Sequence, residues 1–107
     1  IDPQDTLQYQ SAREHDDERH ICPLQLEVIR RCLALWTNPG DVVFSPFMGI
    51  GSEGHVAVGG ATRRGARLSA PRRFIGAELK ASYYAQSAAN LRVAAAVRQP
   101  SLFGIAV

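Results

Sequence analysis

The chain has 107 residues, 46% hydrophobic and 21% charged, which bounds it to one small domain and excludes a disordered composition. Two cysteines, Cys22 and Cys32, exclude a disulfide scaffold; with no apolar run of about 18 residues and no signal-like start, a soluble cytoplasmic protein without a membrane partner is expected. The net charge of +2 hides an asymmetry, since residues 1–27 carry seven acids against Arg13 and Arg19 while the rest carry ten bases against Asp41, Glu53 and Glu78. A basic body with an acidic leader is compatible with an anionic partner such as nucleic acid, although an ordinary solvated surface gives the same total.

Residues 1–23 form the acidic leader, which shows no lasting periodicity and ends in HICP. Pro23 suits the first turn of a helix, where its missing N–H costs nothing. From Leu24 the run LQLEVIRRCLALW spaces Leu26, Ile29, Leu33 and Trp36 three or four apart, so these residues and Cys32 are expected in the core. Glu27 precedes Arg31 at the favourable i,i+4 spacing. Asn38-Pro39-Gly40 then ends the helix in a turn.

Asp41–Phe44 reads as a short strand buried on both faces, as in a parallel sheet. It runs into SPFMGIGSEG, with Ser52 as the expected cap of a second helix weakened by Gly54, Gly59 and Gly60. Residues 61–73 carry Arg63, Arg64, Arg67, Arg72 and Arg73 with no acid, and read as an exposed loop. A second strand is expected over Phe74–Leu79. A helix over Ala81–Ala96 follows, packed through Tyr84, Ala88, Leu91 and Ala95, and residues 97–107 form a tail. The fold class is therefore α/β, a β-α-β core preceded by a helix within residues 24–96, with a right-handed crossover. Two strands make half of such a domain, which points to a missing portion of the fold or a homo-oligomer partner.

Ligands of open α/β sheets lie beyond the carboxyl ends of the strands. Glycines at 49 and 51 allow close backbone approach there, and helix-start amides suit anionic groups. Glu78 is placed to accept hydrogen bonds from ribose hydroxyls. Gly49, Gly51 and Gly54 also fit G-x-G-x-x-G, which leaves a dinucleotide-binding oxidoreductase fragment as an alternative. His15, His20, His55 and the cysteines match no zinc spacing, so no metal is expected; His55 reads as a surface residue.

The run HICPLQLEVIRRCLALWTNPGDVVFSPFMGIGSEG, followed by RRFIGAELKASYYAQSAANL, resembles the C-terminal part of DNA amino-methyltransferases acting on adenine N6 or cytosine N4. The nearest likeness is to phage and prophage DNA methylases whose cofactor motifs follow the catalytic motif, and it covers about residues 13–93. The resemblance implies a partial Rossmann-like three-layer methyltransferase fold that takes S-adenosylmethionine and acts on DNA. It places Cys22, Pro23 and Leu24 beside the methionine part of the cofactor, and Phe47, Gly49 and Gly51 in the turn beneath it. Ser52 would stand near the methionine or ribose end, Glu78 on the ribose hydroxyls and Leu79 against the adenine. Tyr83 and Tyr84 would pack the last helix.

Many such enzymes have aspartate where this chain has Ser45 and lysine where it has Cys22. They grip the flipped base with an (Asp/Asn/Ser)-Pro-Pro-(Tyr/Phe/Trp) motif, which occurs nowhere in these 107 residues. No catalytic residue is therefore assigned, and this chain alone is expected to be inactive. The connection before FIG is about ten residues longer than the resemblance implies, and its arginines (63, 64, 67, 72 and 73) are candidates for DNA phosphate contact. The other reading is a domain that kept the fold and associates with DNA or oligomerises without catalysis.

Overall fold

A computed structural model describes residues 2–7 and 24–98, in the order α1 (Leu26–Trp36), β1 (Val42–Ser45), α2 (Ser52–Ala57), β2 (Arg73–Gly76) and α3 (Ala81–Arg98). The strands pair in parallel, with Val42 opposite Arg73 through Ser45 opposite Gly76. The mixed α/β order and the β-α-β core are thus as the sequence leads one to expect. Cys22, Pro23, most of the acidic leader and the tail from residue 99 lie outside the described residues.

The apolar joint lies between the first two helices. Leu26 and Ile29 of α1 meet Val56 of α2 and Leu68 of the arginine loop, with Leu7 and Leu33 packed alongside. Each such side chain contributes about 1.5–3 kcal/mol when fully removed from water. Two residues expected in this core are outside it: Trp36 is 83% exposed and Cys32 is exposed. The reason is geometric. At 1.5 Å per residue the six residues of α2 span about 9 Å against about 16 Å for the eleven of α1. Trp36 therefore overhangs its partner, while Cys32 points about 100° round the helix from Leu33.

The strands also depart from expectation. Both alternate exposed and half-buried residues, so Val42, Phe44 and Ile75 stand on a bare face, with Phe44 62% exposed. Among the described residues, α2 is the helix that contacts both strands, and it meets the half-buried side through Phe74 against Gly54. The second strand ends at Gly76: Ala77 N–H donates the last bond of the ladder to Ser45 O, and the Ala77 carbonyl accepts from Met48 N–H, beyond the end of β1. Glu78 and Leu79 consequently follow the strand instead of ending it. In α3 the buried side is carried by Ser87 and Ala94, while Tyr84 is exposed. Ala88, Leu91 and Ala95 of the expected stripe are half-buried, with Leu91 against Gly54, and the stripe widens to take in Ser87 where it meets Gly51.

Helix α1 is capped at both ends by residues far away in the chain. Its N-cap residue, Gln25, makes no side-chain cap bond. Asp5 takes that role: its carbonyl accepts from Leu26 N–H at 2.8 Å and its Oδ2 from Glu27 N–H at 2.8 Å. The last turn of α1 contains no basic residue, and Arg72 supplies the missing cation. Its guanidinium donates to Thr37 Oγ1 and Thr37 O at 2.8 Å, and to Ala70 O at 2.7 Å. A carboxylate at the N-terminus and a guanidinium at the C-terminus both oppose the helix dipole.

On the surface of α1, Glu27 accepts from Arg30 at 2.6 Å and from Arg31 at 2.8 Å. Those hydrogen bonds, Arg30 first, hold its carboxyl at about 2, below the usual 4.5. A depressed carboxyl contributes stability above the unfolded value and loses it as pH falls through the folded one. Glu27→Gln is expected to cost about 0.5–1 kcal/mol near neutral pH, as partly exposed pairs do. The gap from wild type should close between about pH 4.5 and 2, as urea unfolding at stepped pH will read.

Candidate functional site

The turn after β1 is built from backbone constraints. Gly49 and Gly51 have φ of +57° and +92°, a left-handed region in which side-chain-bearing residues are strained. A Cβ on Gly51 would stand 3.1 Å from Ser87 Cβ, whereas one on Gly49 would meet nothing within 4 Å. Thus Gly51 permits the close approach of α3, and Gly49 leaves open space. Gly51 is itself the N-cap of α2, without a side chain to cap it, and Ser52 is the first helical residue. The expected serine cap is replaced by a left-handed glycine, and Ser52 is buried beneath the turn.

Glu78 joins this turn to the chain after β2. Its Oε1 accepts from Gly49 N–H and its Oε2 from Lys80 N–H, both at 2.9 Å. Each carboxylate oxygen retains a lone pair for a further donor. Phe47 and Leu79, 86% and 103% exposed, present large apolar surfaces from the same two strand-following segments. Asn90 of α3 donates to Ile50 O at 2.9 Å, fixing the turn from behind. Of the residues singled out in the sequence, the hydrogen bonds therefore bring Gly49 and Glu78 together, in the turn that contains Phe47, Gly51 and Ser52. Leu24 is half exposed ahead of α1, and Cys22 and Pro23 lie outside the described residues.

Helical periodicity does not mark Ser87 and Asn90 as supports of the turn. The available signal was their polarity in an alanine-rich helix, four and seven residues before the buried Ala94 for Asn90 and Ser87 respectively. Tyr83 sits under the Lys80 ammonium, 5.7 Å from its ring centre.

The five arginines do not act as one exposed loop. Arg72 is 6% exposed and committed to the end of α1, which removes it as a phosphate contact. Arg67 donates to Gly59 O at 2.7 Å, and Arg73 stands on the bare face of the sheet with its Nε 3.3 Å from Gly40 O. Arg63 and Arg64 are exposed. The loop's Thr62 and Leu68 are buried, because Leu68 completes the core.

His55 is half-buried instead of lying on the surface, with its Nε2 2.9 Å from Ala61 O. Burial lowers its pKa, against the opposing effect of that carbonyl. Its ring fills the space that a Cβ on Gly60 would need, so it shapes the turn after α2. Among the described residues, no three of His, Cys, Asp and Glu converge as a metal site requires, and no helix is long and apolar enough to cross a membrane.

Residues 3–89 match the sequence model of a family described as DNA methylase, N6_N4_Mtase. No curated protein and no solved structure matches the chain.

Proposed function

Because the chain belongs to the DNA methylase family, we propose that it is the cofactor-binding segment of a methyltransferase that uses S-adenosylmethionine and acts on an exocyclic amine, adenine N6 or cytosine N4, of DNA. The observation that carries this reading is the bond between Glu78 and the Gly49 amide. It unites an acid suited to ribose hydroxyls with a glycine turn that is open above Gly49. Glu78 would hold the ribose hydroxyls, Gly49 and Gly51 would let the backbone approach the cofactor, and Leu79 and Phe47 would cover its apolar surfaces. Ser52 would lie beneath the methionine or ribose end, with Cys22, Pro23 and Leu24 bordering the methionine. The family match favours this assignment over hydride transfer by a dinucleotide.

When bound, the cofactor supplies a methyl group on a sulfonium sulfur. This chain's residues would orient it and hold it away from water; alignment of amine, methyl and sulfur is the main catalytic requirement. The Pro-Pro motif that grips the flipped base is absent from these 107 residues, so the grip would come from another polypeptide segment in a Rossmann-like whole. The bare face with Phe44 and Ile75 supports a partner there, since parallel sheets are ordinarily covered on both sides. Titration calorimetry with S-adenosylhomocysteine should give saturable binding to the folded chain. A folded chain that takes up none of it would sink the proposal.

A further inference from the structure

Residues 2–5 lie across the arginine loop and the start of α1. Between them is a hollow of about 290 Å³ bounded by Asp2, Asp5, Glu27, Arg31, Thr62 and Arg64. Asp5 is 3% exposed and fixes the loop main chain, its Oδ1 accepting from Arg63 N–H at 2.7 Å. Asp2 pairs with the Arg63 guanidinium at 3.0 Å, and 54% of the Arg63 side chain remains accessible. Arg31 is paired with Glu27 and is 73% accessible. Arg64 is exposed beside them. Arg31 and Arg64 thus line the hollow, and Arg63 adjoins its rim through Asp2.

We propose that this rim docks the phosphates of duplex DNA through Arg63 and Arg64, and that Asp2 is a built-in competitor which a phosphate displaces from Arg63. The inference rests on DNA being the partner. With 54% of the Arg63 side chain in water, its pair with Asp2 is screened and contributes little, and a phosphate offers the guanidinium oxygen acceptors with more charge. Exchange of one anion for the other is therefore easy. Asp5 keeps the loop in place during that exchange because its bonds run to main-chain amides, not to the arginine side chain.

The test is fluorescence anisotropy of a short labelled duplex titrated with the chain over a salt series. Arg63→Gln and Arg64→Gln should each flatten the slope of log affinity against log salt by about one unit. Asp2→Asn, which keeps an oxygen for the Gln4 amide, should tighten binding about threefold or more at low salt. In the Arg63→Gln background Asp2→Asn should do nothing. An equal gain with and without Arg63 would show a general charge effect and overturn the competition. Slopes that ignore residues 63 and 64 would place the phosphates elsewhere and overturn the docking surface, while leaving DNA as the partner. Absence of duplex binding by every form at low salt would overturn the DNA reading itself; binding by Asp2→Asn alone would support both.

Discussion

Glu78→Ala is expected to weaken S-adenosylhomocysteine binding about ten- to a hundredfold under the proposed function. Removal of the carboxylate deletes the ribose acceptor and also frees the amides of Gly49 and Lys80, to which Glu78 is bonded at 2.9 Å. Hydrogen bonds to charged groups are worth about 1.5–3 kcal/mol, which sets that range. The same two bonds mean that the substitution also loosens the fold, by about 1–2 kcal/mol. Glu78→Gln separates the effects. Its amide oxygen can still accept one main-chain hydrogen, but its NH2 group must face the other N–H, so an intermediate affinity is expected. Calorimetry paired with thermal unfolding reads both quantities. Affinity that stays at the wild-type level in Glu78→Ala would remove this residue from the cofactor site.

Arg72→Ala is expected to have the largest effect on stability, a loss of about 2–4 kcal/mol. Three hydrogen bonds to Thr37 and Ala70 disappear, and the carbonyls of Thr37, at the end of α1, and of Ala70, in the loop, lose this donor where both residues are half-buried. The main-chain N–H of Arg72 also donates to Ala57 O at 2.6 Å, so the residue ties the ends of α1 and α2 to the start of β2. Arg72→Lys should recover only part of the loss, because an ammonium cannot fork between two separated acceptors. Differential scanning calorimetry should show Tm lower by on the order of 10–20 °C for the alanine variant. A Tm within a degree or two of wild type would mean that the guanidinium is dispensable to the fold.

Local pattern made the helices and strands legible. The spacing of Leu26, Ile29 and Leu33 announces α1, and Asn38-Pro39-Gly40 announces its end. Glycines at 49 and 51 mark a turn with positive φ, as found. Periodicity says which side of a helix is apolar, but not how long the neighbouring helix is. For that reason Trp36 reads as core and is exposed. Arginine-rich composition likewise reads as a solvated loop, although Arg72 is interior. Its partners are Thr37 and Ala70, and a contact spanning 35 residues leaves no local trace. Asp5 is hidden for the same reason. The missing cap at Gln25 signals only that some acceptor is needed, without saying where in the chain it resides. At the site, Glu78 and the glycine turn are legible as residue types, while their direct bond depends on β2 ending at Gly76.

The reach of Asp5 also bears on how the molecule folds and unfolds in time. Its carboxylate joins positions 22 and 58 residues further along the chain, and contacts of such separation follow closure of the intervening loops. Its bonds should accordingly form after the folding barrier has been crossed, a low-φ position in kinetic terms. Weakening them would speed unfolding while leaving the folding rate nearly unchanged. Asp5 would then govern the lifetime of the native state more than the speed of reaching it.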